Sequence, residues 1–320
     1  MNLTPLGLSN LQVPRLGVGT MTWGDATGLG RLHPSKIAYG GAHGYQEEKS
    51  ALEASLAAGV TLFDTAAMYG GGASERRLGE LARGTEAILA TKFPSRFLAR
   101  TESMPRDMEA SIARLGRVDL YQHHFPFRWV SIPRLMDLLA NAVEAGRIKA
   151  VGVSNYSADQ MRMAHAALAR RGVPLASNQV EYSLLHRQPE VNGVLDACRE
   201  LGVMLIAYQP LASGALTGKY VSGTRPTGLR RLTPNFRGKG LEALVPVVGL
   251  LREIGARYGR SPAQVALRWL IENPTVLPIP GAKNGGQAAD NAGALAFALA
   301  ADEIAALDRA TQGWRPPGGR

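Results

Sequence analysis

Eight times along the chain, a short apolar run is followed by a stretch with helical spacing, and this alternation limits the fold more than any other feature. The runs lie near residues 16–19, 60–64, 87–92, 118–124, 149–153, 176–181, 202–207 and 275–278. Between them come stretches such as Glu48 to Ala58, where Leu52 and Leu56 share a face, and Pro262 to Glu272, carrying Val265, Leu267, Trp269, Leu270 and Ile271. Eight β-then-α units predict a closed (β/α)8 barrel of the α/β class, the TIM-barrel architecture, read as one domain over residues 1–320. Leu3 to Arg15, with Gly7 and the Ser9-Asn10 turn signal, reads as an N-terminal β-hairpin capping the barrel floor. The competing open doubly wound sheet needs G-x-G-x-x-G after an early strand. Gly28-Leu29-Gly30 lacks the third glycine, and Gly70-Gly71-Gly72 is not followed by the pattern.

Two long stretches break the rhythm, glycine-rich Asp25 to Glu47 and the Pro/Gly/Arg-rich Val221 to Gly240. Long loops after barrel strands tend to carry function. Lys219 to Lys239 also holds Arg225, Arg230, Arg231 and Arg237 without an acidic residue, so it reads either as a solvated loop or as a lid drawn to an anionic ligand. The net charge of +10 does not point to nucleic acid, because the arginines are scattered and no aromatic side chains recur among them. No apolar run reaches membrane-spanning length and no leader pattern opens the chain, so a cytoplasmic, non-membrane protein is expected. The single cysteine, Cys198, sits in a helix-like run and reads as a packed thiol.

Four polar residues stand at or just beyond three of these runs: Asp64, Tyr69, Lys92 and His124. In a parallel α/β protein the strand C-termini form the active face. Alone, Asp64 and Tyr69 would fit a helix cap and a rim aromatic. Lys92 changes that reading, because lysine is rarely buried without a partner and Asp64 supplies one. A tyrosine, with a pKa of about 10, becomes a better proton donor beside an ammonium, which a carboxylate fixes while an imidazole orients a carbonyl oxygen. His123 and His124 are adjacent on a strand and point to opposite faces. Without a third His or Cys nearby, they do not suggest a metal site.

Phe63 to Gly70, Ala90-Thr91-Lys92-Phe93 and Asp119 to Pro126 resemble signatures of the aldo-keto reductase superfamily. So do Leu16-Gly17-Val18-Gly19-Thr20, Gly152-Val153-Ser154-Asn155, Asn178 to Tyr182, Ala207 to Leu211 and Ile279 to Lys283, all in family order. The resemblance covers nearly the whole chain and implies reduction of a small-molecule carbonyl by NADP(H), with Tyr69 as proton donor, Asp64 and Lys92 tuning it and His124 facing the pocket. It implies a nicotinamide site at Ser154, Asn155, Gln179 and Tyr208, flanked by Gly19, Thr20, Gln209, Pro210, Leu211 and Gly214. For the phosphates it implies Gly281, Lys283, Gln287 and Asn291 at a loop that opens a helix, with Lys219 of the basic stretch alongside. Two positions depart from many relatives, Gln209 where serine is usual and Gln287 where an arginine is usual. Trp23, Phe125 and Trp129, with Phe127, are candidates for an apolar substrate wall or for core.

The resemblance allows aldehydes, sugars or a pyridoxal-like aldehyde as substrate, and a monomeric enzyme. Two other readings remain open at this point. One is a binding protein of the potassium-channel β-subunit type on the same fold. The other is a Schiff-base aldolase with Lys92 as nucleophile.

Overall fold

A computed structural model describes residues 3–25, 44–93, 100–127, 129–221, 224, 226, 231–237 and 239–315. Gly28-Leu29-Gly30, Arg225, Arg230 and most of the loop from Asp25 to Glu47 lie outside these residues. The strands are β1 (Thr4–Pro5), β2 (Gln12–Val13), β3 (Gly17–Gly19), β4 (Leu62–Asp64), β5 (Ile88–Phe93), β6 (Leu120–His123), β7 (Ala150–Ser154), β8 (Leu175–Glu181), β9 (Met204–Tyr208) and β10 (Val276–Pro278). The described helices are α1 (Tyr45–Ala57), α2 (Ala73–Leu81), α3 (Met104–Leu115), α4 (Ile132–Glu144), α5 (Ala158–Ala169), α6 (Gln188–Val191), α7 (Val194–Leu201), α8 (Gly240–Tyr258), α9 (Pro262–Glu272), α10 (Gly285–Ala292) and α11 (Ala301–Thr311).

Strands β3 to β10 pair in sequence order, and every pairing is parallel. A parallel bridge between Gly19 and Gly281, with the Gly19 N–H donating to the Pro280 carbonyl at 3.0 Å, joins the first strand to the segment after the last. The sheet therefore curls into the expected barrel, and all eight sequence runs coincide with strands. Helix α1 begins three residues before the expected Glu48, at Tyr45, because the Glu47 carboxylate accepts from the Gly44 N–H at 2.9 Å and caps an earlier turn.

β1 and β2 form the hairpin, and its Leu6, Leu11 and Val13 are buried with Leu62, Ala90, Leu120, Ala150, Met204 and Leu277 in a cluster filling the barrel's lower interior. Two residues further along β4, β5 and β6 the inward positions turn polar, to Asp64, Lys92 and Gln122. The alternation of strand side chains thus stacks a polar layer on an apolar floor. A second apolar layer lies between barrel and helices, and Cys198 is packed there, its thiol pushed up to about 12 by burial.

Candidate active site

β4 delivers Asp64 at its last residue and β5 delivers Lys92 at its fifth, and both side chains are buried. The Lys92 ammonium is ion-paired with Asp64 Oδ1 and donates to the Thr65 carbonyl at 2.8 Å. Burial alone would pull this ammonium's pKa down, but Asp64 and then Tyr69 outweigh it and hold it above the ordinary lysine value. On the outer side of β5, Thr91 donates to the buried Glu75 carboxylate at 2.6 Å, and Arg114 Nε donates to Glu75 at 2.5 Å. These contacts brace the strand that carries Lys92 from behind.

Tyr69 enters through a turn at Tyr69–Gly72, where Gly70, Gly71 and Gly72 all have positive φ, at 58°, 64° and 85°. Residues with a Cβ are strained there, so the glycine run lets the chain reverse into α2 immediately after the tyrosine. The Tyr69 ring lies with its centroid 5.3 Å from Lys92 Nζ. His124 meets Tyr69 edge-on, with ring centroids 6.0 Å apart. His123 faces the opposite way, its Nδ1 2.6 Å from the Tyr156 hydroxyl, and burial lowers its pKa to about 3. The strand-parity expectation for the two histidines is met.

Asp64, Tyr69 and His124 line a cavity of about 690 Å3 at the C-terminal end of the barrel, with Lys92 buried beneath. The same cavity is lined by Gly19, Thr20, Ser154, Asn155, Gln179, Tyr208, Gln209, Pro210, Leu211, Gly214, Lys219, Gly281, Lys283, Gln287 and Asn291. Residues scattered over most of the chain's length are thus brought onto one wall. Ser154 Oγ donates to the Gln179 carbonyl at 2.9 Å, Asn155 Nδ2 to the His124 carbonyl at 3.1 Å, and the Tyr208 hydroxyl to Asn155 Oδ1 at 3.1 Å. Asn155, Gln209 and Ser213 line the cavity with φ of 61°, 51° and 57°, and Ser213 Oγ donates to Gln209 Oε1 at 2.9 Å. Each such non-glycine conformation costs about 1–3 kcal/mol, and strain of this kind gathers at ligand sites.

At the far end, Asn284 caps α10 by accepting from the Gln287 N–H at 3.0 Å, and Gln287 Oε1 accepts from the Lys283 N–H at 2.9 Å. Gln287 is thereby folded over its own loop, while Lys283, half-buried, and Lys219, exposed, are the lysines on the cavity wall. Side-chain amides beside an aromatic face, followed by a cation at a helix N-terminus, form a donor set suited to a carboxamide-bearing ring joined to phosphates.

The aromatic substrate candidates divide. Phe125 lines the cavity, 36% exposed and stacked on His124 at 4.7 Å. Trp23 does not reach it: the ring is fully buried, with Nε1 donating to the Ala282 carbonyl at 2.8 Å, so it is a packed residue. Trp129 also lies off the wall, 48% exposed and stacked on Phe127 at 4.8 Å. Met21, Thr22, Met68, Tyr220 and Asp290 line the cavity without having been singled out by sequence. Gln122, buried against Asp64, is a further polar residue of the site outside the sequence candidates.

The aldo/keto reductase family model matches residues 15–312. An oxidoreductase of Mycobacterium tuberculosis is 39% identical over 312 residues, covering 95% of this chain and 91% of the relative. The chloroplastic pyridoxal reductase of Arabidopsis thaliana is 36% identical over 323 residues, covering 94% and 84%. The aldo-keto reductase yakc [NADP(+)] of Schizosaccharomyces pombe is 31% identical over 320 residues, covering 93% and 88%. Among solved structures, a glycerol dehydrogenase from Gluconobacter oxydans superposes with a TM-score of 0.81 at 25% identity, covering 98% of this chain and 96% of that one. With the family model spanning nearly the whole barrel, the chain belongs to the aldo/keto reductase family and is an oxidoreductase.

Proposed function

We propose that this protein reduces an aldehyde or ketone to an alcohol with NADPH, and that Tyr69 is the proton donor. The observation that carries the reading is the buried Lys92 ammonium held between Asp64 and the Tyr69 ring. A cation there stabilises the phenolate left behind when the proton departs, so the phenol gives it up more readily. Asp64 holds the ammonium charged and in place. His124 approaches the same point from the other side, so that a carbonyl oxygen between the two rings receives a hydrogen bond from each. When bound, the nicotinamide cofactor supplies the hydride. Ser154, Asn155 and Gln179 would hold its carboxamide and Tyr208 would stack on its ring.

The preference for the 2′-phosphorylated form is assigned to Lys283, with Lys219 adding attraction, and the NADP(+) in the name of the fission-yeast relative supports it. The Schiff-base alternative needs a lysine that is neutral at working pH, and the raised pKa of Lys92 argues against that. The pyridoxal reductase among the relatives makes a ring aldehyde the first substrate to try.

The test is a panel of ring aldehydes, aliphatic aldehydes, sugars and ketones, with NADPH and NADH consumption followed in parallel. Turnover of at least one carbonyl with NADPH favoured is expected. Tight cofactor binding without turnover of any carbonyl would instead favour the channel β-subunit type of role.

A further inference from the structure

Gln122 plays no part in the steps above, yet it is buried in the polar layer beside Lys92, its register partner on β5. Its Nε2 donates to Asp64 Oδ2 at 2.9 Å. Gln179 Nε2 donates to the same oxygen at 3.0 Å and reaches Gln122 Oε1 at 3.4 Å. An ionised carboxylate accepts and does not donate, so both amides must turn their NH2 groups toward Asp64. Gln122 then has its own oxygen left to accept from Gln179. With both side-chain N–H groups engaged, Gln179 has its side-chain Oε1 left for the cavity that the residue lines, its backbone carbonyl being taken by Ser154 and Asn155.

Gly152 makes room for this arrangement. A Cβ there would stand 2.9 Å from Gln122 Cγ and 2.5 Å from Ser177 Oγ, closer than packed atoms approach. A Cβ at 152 would force Ser177 and Gln122 to give way.

We propose that Gln122 is a positioning residue: it fixes Asp64 and the amide orientation of Gln179 together, so that an acceptor oxygen faces the cofactor carboxamide. The same carboxylate that anchors Lys92 thereby also sets how the hydride donor is held. This rests on the carbonyl-reduction reading above.

Two variants test it. Gln122→Met keeps the side-chain length and removes both polar atoms. Gln122→Glu keeps the shape and makes the position titratable: protonated, the new carboxyl donates to Asp64 and accepts from Gln179 as the amide does, whereas ionised it repels Asp64. NADPH dissociation constants, the pH profile of kcat/KM and thermal melts are measured for both variants and the wild type. Gln122→Met is expected to weaken NADPH about fivefold to tenfold, the effect of one net hydrogen bond, and to lower kcat more than it raises KM for the carbonyl. Gln122→Glu is expected to approach wild-type binding and turnover at low pH and to lose both as its carboxyl ionises, adding a descending limb at lower pH than the one that ionisation of Tyr69 gives the wild type.

NADPH affinity and pH profile within twofold of wild type in both variants would overturn the role. So would a loss of activity that follows thermal stability alone, without low-pH recovery in Gln122→Glu. Failure of the wild type itself to bind NADPH would sink the proposed function and this role together, whereas an active wild type with unaffected variants sinks the role alone.

Discussion

The two ends of the cavity hold charge in opposite ways. At the reaction end, Asp64 and Lys92 are buried, paired with each other and hydrogen-bonded to neighbours on adjoining strands. At the end proposed to take the phosphates, Lys219, Gln287 and Asp290 are exposed and Lys283 half-buried, in the loops and first turns around α10. A buried charge loses hydration and depends on its partner, whereas a solvated one is screened and replaceable. On the proposed function, the first end holds a proton and its counter-charges in one geometry, and the second attracts and releases an anion. Substitutions at the first should therefore cost stability and rate together, and substitutions at the second should cost affinity, in a salt-dependent way.

Lys92→Met pushes this contrast hardest. It leaves the Asp64 carboxylate buried without its cation, and breaking a buried pair from one side costs about 3–5 kcal/mol. Denaturant unfolding should show that loss, and carbonyl reduction should disappear in whatever fraction stays folded. A stable, active Lys92→Met protein would erase the distinction between the two ends.

Lys283→Ala is the matching probe at the other end. Loss of a charge-assisted contact to the 2′-phosphate should weaken NADPH by roughly 1.5–3 kcal/mol and leave NADH nearly unchanged, with little effect on folding. Equal losses for both cofactors, measured by fluorescence quenching, would show that Lys283 does not read the phosphate.

Behind the reaction end, His123 supplies a pH signature. Its folded pKa of about 3 lies below the unfolded value of about 6.5, so between these limits the unfolded chain binds the extra proton. Stability should then fall as pH drops through that window, with His123 contributing about 1.4 kcal/mol per pH unit. His123→Gln should flatten the slope of unfolding free energy against pH. An unchanged slope would assign the acid sensitivity to other groups.

The smallest effect expected is that of salt. Raising ionic strength from about 0.01 M to about 1 M shortens the screening length from about 30 Å to about 3 Å. NADPH affinity should weaken across this range through exposed Lys219, while the kcat of the saturated enzyme stays nearly constant. A kcat that falls in parallel would place screened charge at the reaction end too.

The strands were legible because each apolar run is bounded by polar loop residues; parity showed that His123 and His124 face opposite ways, and the family resemblance turned His124 to the pocket. The same parity puts Gln122, two residues before His124, on the inner face, so the strand pattern carries the signal for this residue too. Trp23 was not legible: an aromatic just past a strand looks alike whether it lines a pocket or packs, and its Nε1 partner, the Ala282 carbonyl, comes from the opposite end of the chain through barrel closure. The left-handed backbone at Gln209 and Ser213 carries no glycine to announce it. It depends on the tertiary setting of the loop after β9, which local sequence does not encode.

The central claim is that Tyr69 donates the proton, and Tyr69→Phe tests it most directly because the ring remains and only the hydroxyl is lost. Single-turnover reduction and NADPH binding should be measured on the same preparation. The account predicts a fall in the reduction rate of roughly 10²–10⁴-fold, the usual contribution of general acid catalysis, with an NADPH dissociation constant within about twofold of wild type. Reduction at near-wild-type rate, in a reaction where hydride transfer is rate-limiting, would contradict it.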